Sequence, residues 1–368
     1  MINDKDKKIG IINHWMVNNY GALFLAYAIE KGINKLGYNN VETITYLPDE
    51  VQMPWKLSMA KKVGLLTYLL RLGYFMVFIL PREKSFANMR SKMNTSKENY
   101  NDKTIALIAD HYDKIVIGGD QLWNCKINYY NENNFLPFVH DKKKKVVYAA
   151  SIAQDNIRED LVNRFKELTE DFSYITTREQ RATEIIEEIT NLKAPRVADP
   201  AFLLTAREWE MLAEKDDCII DKYIFVYQVQ SDTELINFAK KLSENKKLKI
   251  VYCPFPLKKQ IKCKRHPYMA PEKWLWYVKN ADYVVTDAFH GTVFSIIFNR
   301  PFFSQISNYG KDTGSRITNL LNVFSLESRL LVNGNCDFID GVIDFKKVNN
   351  KINEEREFSM QHLNKMLG

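Results

Sequence analysis

The sequence predicts an α/β protein made of two doubly wound, Rossmann-like domains facing each other across a cleft, and three observations carry that prediction. From its start the chain alternates short apolar runs with segments of helical period, the signature of a parallel sheet covered by helices on both faces. The alternation restarts after a link at Asp199-Pro200 and Leu203-Leu204. A length of 368 residues suits two domains of ordinary size, each able to bury a substantial core.

Taken in order, residues 9–13 read as a strand and 22–36 as a helix. That helix has Leu23, Ala26, Tyr27, Ile33 and Leu36 on its apolar side and Gly37 as its C-terminal stop. Strands follow at 41–46, 114–118 and 145–150, then a helix at 160–169, a strand at 174–177, a helix at 178–190 and a short strand at 195–197. In the second half a helix at 207–213 leads into a strand at 223–228. Helices at 233–244, 271–278, 292–298 and 317–324 then alternate with strands at 249–253, 283–286 and 302–305. A charged helix over 349–367 closes the chain. The expected domains are therefore 1–198, with a basic, apolar helical insertion at about 55–100, and 199–368. In such sheets ligands bind at the carboxyl ends of the strands.

Composition narrows the class. With 46% hydrophobic and 26% charged residues the chain is neither disordered nor fibrous. Its five cysteines are scattered, with no Cys-x-x-Cys pair, which points away from a disulfide framework or a cysteine metal site and toward a reducing cytoplasm. Residues 1–8 are charged and run straight into the first strand, leaving no apolar region for a signal peptide. The net charge is +7, and residues 55–100 hold nine Lys or Arg against Glu83 and Glu98, an excess of the same size. A charge confined to one segment argues against a nucleic-acid binder and for one surface that prefers acidic partners.

The same segment contains the longest apolar stretch, residues 63–80, interrupted by Arg71. A central arginine costs about 2.5 kcal/mol or more on the lenient membrane-insertion scale, so a spanning helix is not expected. Two readings remain: a buried helical hairpin with Pro81 as its stop, or an element resting on anionic lipid. In the second, Tyr68, Tyr74, Phe75 and Phe78 lie on one side and Lys61, Lys62, Arg71 and Arg82 at the edge.

Four strand-to-helix junctions carry unusual chemistry. After the first strand, Asn18, Asn19, Tyr20 and Gly21 precede a helix; asparagines cap helices and glycine lets a ligand approach. Asp120, Gln121, Trp123 and Asn124 follow the strand at 114–118 and combine a carboxylate, two amides and an indole, a mixture suited to a sugar. The alternative there is a turn at Asp120 with Trp123 in the core. Arg178 opens the helix after 174–177, where a cation suits a phosphate or carboxylate; it is equally placed to pair with Glu179 or Glu184. The fourth junction, Asp287-Ala288-Phe289-His290-Gly291-Thr292, is the most specific. It sets an imidazole at a helix start, where the N–H groups of Gly291 and Thr292 are expected to hold an anion while His290 moves a proton.

Seven segments in this order resemble the polysaccharide pyruvyl transferase family. They are Asn18-Asn19-Tyr20-Gly21-Ala22, Gly119-Asp120-Gln121-x-Trp123-Asn124, Tyr148-Ala149-Ala150-Ser151-Ile152, Thr177-Arg178-Glu179, Asp199-Pro200, Val285-Thr286-Asp287-x-Phe289-His290-Gly291, and Ser315-Arg316-Ile317 with Leu320-Leu321. The resemblance implies a GT-B-like fold, in agreement with the two-sheet reading. It also implies transfer of the pyruvyl part of phosphoenolpyruvate to a sugar, lipid-linked intermediates included, to form a cyclic ketal. His290 maps to the family's histidine and is expected to act as general acid and base, with Asp120 orienting or deprotonating the acceptor. Arg178, Gly291, Thr292 and Arg316 form the expected donor side; Asn19, Tyr20, Gln121, Trp123 and Asn124 form the acceptor side. No metal or cofactor is expected. Two positions depart from the pattern: Ala288 stands where some members have arginine, and Gly119 where serine is common. The competing readings are a nucleotide-sugar glycosyltransferase and a non-catalytic partner in polysaccharide assembly. The expected location is cytoplasmic, peripheral at the membrane's inner face through 55–100.

Overall fold

The computed structural model describes residues 4–48, 64–126, 130–216, 222–230, 233–254, 264–265, 269–306, 314–336 and 339–368. Six parallel strands form the first sheet: β1 (Ile9–Ile12), β2 (Val41–Tyr46), β3 (Thr95–Tyr100), β4 (Lys114–Ile117), β5 (Lys145–Ala150) and β6 (Tyr174–Thr177). They lie in the order β3-β2-β1-β4-β5-β6. The second sheet comprises β7 (Tyr223–Gln228), β8 (Lys249–Pro254), β9 (Lys264–Arg265), β10 (Tyr283–Thr286), β11 (Phe302–Gln305) and β12 (Leu330–Leu331). Its order is β12-β11-β10-β7-β8-β9, which is the first sheet's topology read from the other edge. Strand order therefore reverses between β1 and β4 and again between β7 and β10, and ligand crevices open at those switch points.

The central strands formed where continuous apolar runs predicted them, because a strand buried on both faces needs apolar residues at every position. β5 and β7 are buried at each residue. β3 escaped the reading because Thr-Ser-Lys-Glu-Asn-Tyr is an edge strand that buries only Ser96 and Tyr100. The strand expected at 195–197 is reduced to a single bridge between Thr177 and Arg196.

Helix α1 (Tyr20–Lys35) starts two residues earlier than expected because Asn19 caps it, its side chain accepting from Ala22 N at 3.2 Å. Gly37, at φ +91°, ends it as predicted. Over the described residues 64–90 the insertion is one continuous run and not a hairpin. Helices α2 (Leu65–Tyr74) and α3 (Leu80–Arg90) are joined by one π-helical stretch, Phe75–Ile79, and β3 follows. Pro81 does not stop the run: it occupies the first turn of α3, where the missing N–H costs nothing. Lys61 and Lys62 lie outside the described residues. Arg82, expected at a lipid edge, is buried, with Nε and Nη2 donating to Asn18 O at 3.1 and 2.7 Å.

Five helices frame the site. They are α4 (Gln180–Ile189), α5 (Pro271–Asn280), α6 (Phe289–Ile297), α7 (Gly314–Phe324) and α8 (Phe345–Leu367). One apolar core runs across the two sheets' helices and is anchored by α1. Phe24 meets Trp209 and Phe294 at ring distances of 5.5 and 5.1 Å. Helix α8 crosses back to the first sheet, where Leu363, Met366 and Leu367 pack with Ile9, Ile11 and Val146. Ser359 Oγ accepts from Ala198 N at 2.9 Å along the same contact. The carboxyl ends of both sheets are thus held facing one another.

Candidate active site

Three buried cationic or titratable groups converge at those facing ends: Arg178 from the end of β6, His290 from the start of α6, and Arg316 from α7. Arg178 lies between the end of β6 and Glu179, the extended cap of α4, so it precedes the helix and its side chain is buried rather than on the helix surface. Its Nη2 donates to Asp120 Oδ1 at 2.6 Å and to Ser151 Oγ at 2.8 Å; its Nη1 donates to Asp199 Oδ2 at 2.9 Å. Arg316 Nη1 donates to the same Asp120 oxygen at 2.8 Å. One carboxylate oxygen is therefore gripped by guanidiniums from both halves of the chain. The two guanidiniums also lie over one ring, Phe289, at 4.7 and 5.5 Å from its centroid.

His290 sits inside the first turn of α6, because that helix begins at Phe289 and not at Thr292. Its Nε2 is 3.6 Å from Asp199 Oδ2, the oxygen that also binds Arg178. Gly21 presses on the other face of the imidazole: a Cβ there would lie 2.0 Å from Nδ1. Gly21→Ala is therefore expected to displace the imidazole from its position beside Asp199. Since misplacements of about 1 Å cost on the order of 10²-fold in rate, turnover should fall by that order while the chain stays folded. Steady-state kinetics with circular dichroism checks this.

The electrostatics of the cluster follow from its charges. Burial opposes ionisation of Asp120, but Arg316, Arg178 and His290 outweigh it and hold the carboxyl well below the usual range. A carboxylate so stabilised is a poor proton acceptor. Of the two expected roles for Asp120, orienting or deprotonating the acceptor, the lowered carboxyl favours the first, and its oxygen is engaged by both arginines. Asp199 is likewise lowered, burial being overcome by His290 and Arg178. Burial raises Glu179 above the usual range despite Arg178 and Ser151. His14, beside Asp120, is pushed by burial down to about 4 against the pull of that carboxylate.

A depressed carboxyl stabilises the fold above its unfolded pKa of about 3.9 and loses that contribution as pH falls toward its folded value. The protein should accordingly lose thermal stability steeply below about pH 4. Asp120→Asn should be less stable at neutral pH and lose less on acidification; melting curves against pH read both slopes.

Several residues of the expected binding sets are engaged in packing or in local hydrogen bonds. Trp123 is 1% exposed and stacks on Phe135 at 4.9 Å, so it serves the core of the first sheet and offers no face to a sugar. Tyr20 is 2% exposed, stacks on Trp274 at 5.4 Å and donates to Met269 O at 2.7 Å; it ties the two sheets' layers together. Asn19 is spent as the cap of α1. Asn124 is buried and accepts from Lys126 N at 3.0 Å in its own turn. Thr292 donates its N–H to Ala288 O and shares a 2.6 Å hydroxyl contact with Ser304, so both groups are engaged within the fold. Asp287 accepts from the N–H groups of Val229 and Gln230 and braces the loop after β7. Gly291 lies against Thr286, where a Cβ would stand 2.3 Å from Oγ1, and remains at the first turn of α6. Gln121 stays with the cluster: with its amide turned so that the oxygen faces Arg316, that oxygen accepts from Nη2 at 2.8 Å.

Asp199, Ser151, Glu179 and Phe289 belong to the cluster although the sequence did not assign them roles. Their only signal was membership of the ordered segments. A small cavity of about 20 Å³ adjoins it, and Arg178, Glu179, Asp199, Phe289, Arg316 and Arg196 are among the residues that line it. His290 follows the lining residue Phe289 in sequence and does not itself line the cavity. Among the described residues, Arg178 Nε, Arg316 Nε and His290 Nε2 are buried without a hydrogen-bond partner, although such donors are nearly always satisfied. No group of His, Cys, Asp and Glu among the described residues is arranged to hold a metal ion.

Two parallel six-stranded domains with their carboxyl ends opposed, and a site between them, define a protein of the GT-B fold. The chain belongs to the polysaccharide pyruvyl transferase family, whose model matches residues 19–304. Among solved structures it is similar to UDP-GlcNAc 2-epimerase from Methanocaldococcus jannaschii, at 14% identity and TM-score 0.52, with 94% of this chain and 92% of that chain covered. The same enzyme in complex with UDP-GlcNAc and UDP matches at 14% identity and TM-score 0.50, covering 95% and 92%. At that identity the likeness is one of fold. No curated protein matches the chain significantly.

Proposed function

We propose that this protein transfers the pyruvyl group of phosphoenolpyruvate to a sugar of a surface-polysaccharide intermediate, closing a pyruvate ketal. The observation that carries the reading is the double grip on Asp120 Oδ1. It marks a place where an anionic oxygen is held at once by Arg178 and Arg316, at 2.6 and 2.8 Å. A donor with a carboxylate and a phosphate needs fixed positive charge of this kind, and guanidiniums bind both groups in bidentate fashion. Arg316, aligned over Phe289 beside Ala288, supplies the cation that some relatives place at position 288.

In this reading His290 gives a proton to the donor's methylene carbon, which becomes the methyl group, and C2 becomes an oxocarbenium-like centre. A sugar hydroxyl adds to C2 and returns a proton to His290. Phosphate then leaves with its C–O bonding pair, and a second hydroxyl closes the ring, its proton passing to the departing phosphate. Two C–O bonds form, one breaks, and one proton is retained in the methyl group. Asp199 orients the imidazole; Asp120 holds the arginines until the donor enters.

Phosphoenolpyruvate should raise the melting temperature of the protein, and uridine diphosphate should not. At about 100 times Kd a ligand stabilises by about 2.7 kcal/mol, well within reach of a thermal-shift assay. Stabilisation by uridine diphosphate alone would favour a nucleotide-sugar glycosyltransferase instead.

A further inference from the structure

Helix α2 and the π-helical stretch after it present an apolar face to solvent. Leu66 is 74% exposed, Leu69 52%, Leu70 67%, Met76 54% and Val77 58%. These positions recur at helical spacing, so they share one side of the rod. With Tyr74 they make up six of the twelve large hydrophobics exposed among the described residues, packed into twelve positions. Scattered exposed leucines are ordinary; a continuous face of them marks a contact surface.

The charge around that face selects its partner. Residues 55–100 carry the chain's whole excess of positive charge. Arg82 and Arg90 are spent internally, Arg90 on Glu83, Met16 O and Asn18 Oδ1. Lys84, Lys92 and Lys97 are exposed, and Lys61 and Lys62 immediately precede the helix in sequence. An exposed leucine face on a helix within a lysine-rich segment is the composition of an interfacial helix, whereas protein interfaces are depleted of lysine at their cores. No helix among the described residues is long and apolar enough to cross a membrane, so the element would lie on the bilayer.

We propose that this face docks the protein on an anionic phospholipid bilayer, with Leu66, Leu69, Leu70 and Met76 entering the headgroup boundary and the lysines meeting the lipid phosphates. The far end of the same rod holds the site loop: Arg82 and Arg90 both bind Asn18, three residues from the Gly21 that presses on His290. Docking would therefore set the crevice after β1 toward the membrane plane, where a lipid-linked acceptor presents its sugar. The lipid contact itself does not depend on the pyruvyl-transfer reading, and the test below reads binding rather than turnover.

The full chain is mixed with vesicles of phosphatidylcholine, or of phosphatidylcholine containing phosphatidylglycerol, and sedimented. Binding should appear on the anionic vesicles, weaken with added salt, and fall about tenfold or more in the double variant L66S/L70S and in K61Q/K62Q. Both variants change residues outside the catalytic cluster. Equal binding to the two vesicle types, or anionic binding unchanged in L66S/L70S, would overturn the proposal. So would a sedimentation-velocity dimer of the wild type that L66S/L70S converts to monomer, since a second copy of the chain would then cover the face.

Discussion

His290→Ala is expected to lower kcat by about 10²–10⁴-fold, the range over which a positioned general acid or base contributes. The chain should stay folded with a modest loss of stability, because the buried imidazole helps to hold Asp120 and Asp199 ionised. His290 Nε2 makes no hydrogen bond among the described residues, and its 3.6 Å approach to Asp199 is beyond hydrogen-bond range. Donor affinity should persist, because the arginines that bind the anion are untouched. Single-turnover kinetics beside a phosphoenolpyruvate titration separates the two quantities. Loss of donor binding with an unaltered chemical step would show that His290 binds and does not transfer the proton.

Arg178→Ala is expected to be the most destabilising single change in the cluster. The guanidinium is 3% exposed and neutralises Asp120, Glu179 and Asp199, two of them by direct hydrogen bonds. Removing one partner of a buried ion pair typically costs about 3–5 kcal/mol, because the remaining charge is left buried and uncompensated. For domains of this size each kcal/mol shifts the melting temperature by about 2–4 °C, so a fall on the order of 10 °C is anticipated. Arg178→Lys should recover part of the stability but little donor affinity, since an ammonium cannot reach Asp120 and Asp199 in the geometry of a planar fork. Calorimetry of the three proteins measures the first effect, and phosphoenolpyruvate-dependent stabilisation the second.

Much of this arrangement was legible in the sequence. Apolar runs such as Tyr223–Gln228 announce strands buried on both faces, and the restart after Leu204 announces the second sheet. The junctions after β4, β6 and β10 hold Asp120, Arg178 and His290, because the carboxyl ends of parallel strands are where loops can expose polar groups to a ligand. What the sequence concealed were identities that only packing decides. Trp123 and Tyr20 have the chemistry of a sugar platform, yet each fills a core position. Asp199 looked like a linker residue before a proline and proves to be shared by Arg178 and His290. The roles of the basic segment divided for the same reason. Arg82 and Arg90 face inward to Asn18, while the leucines of α2 face out, and a helical period alone does not say which face is covered.

The central claim is that the arginine pair and His290 handle phosphoenolpyruvate, and product analysis tests it most directly. The protein is incubated with phosphoenolpyruvate and a panel of sugar acceptors, including lipid-linked ones, with phosphate and acceptor mass followed together. The account predicts one phosphate released for each acceptor that gains a pyruvate ketal, with both signals lost in His290→Ala. Turnover of a nucleotide-sugar by the wild type with neither signal from phosphoenolpyruvate, or equal ketal formation by His290→Ala, would contradict it.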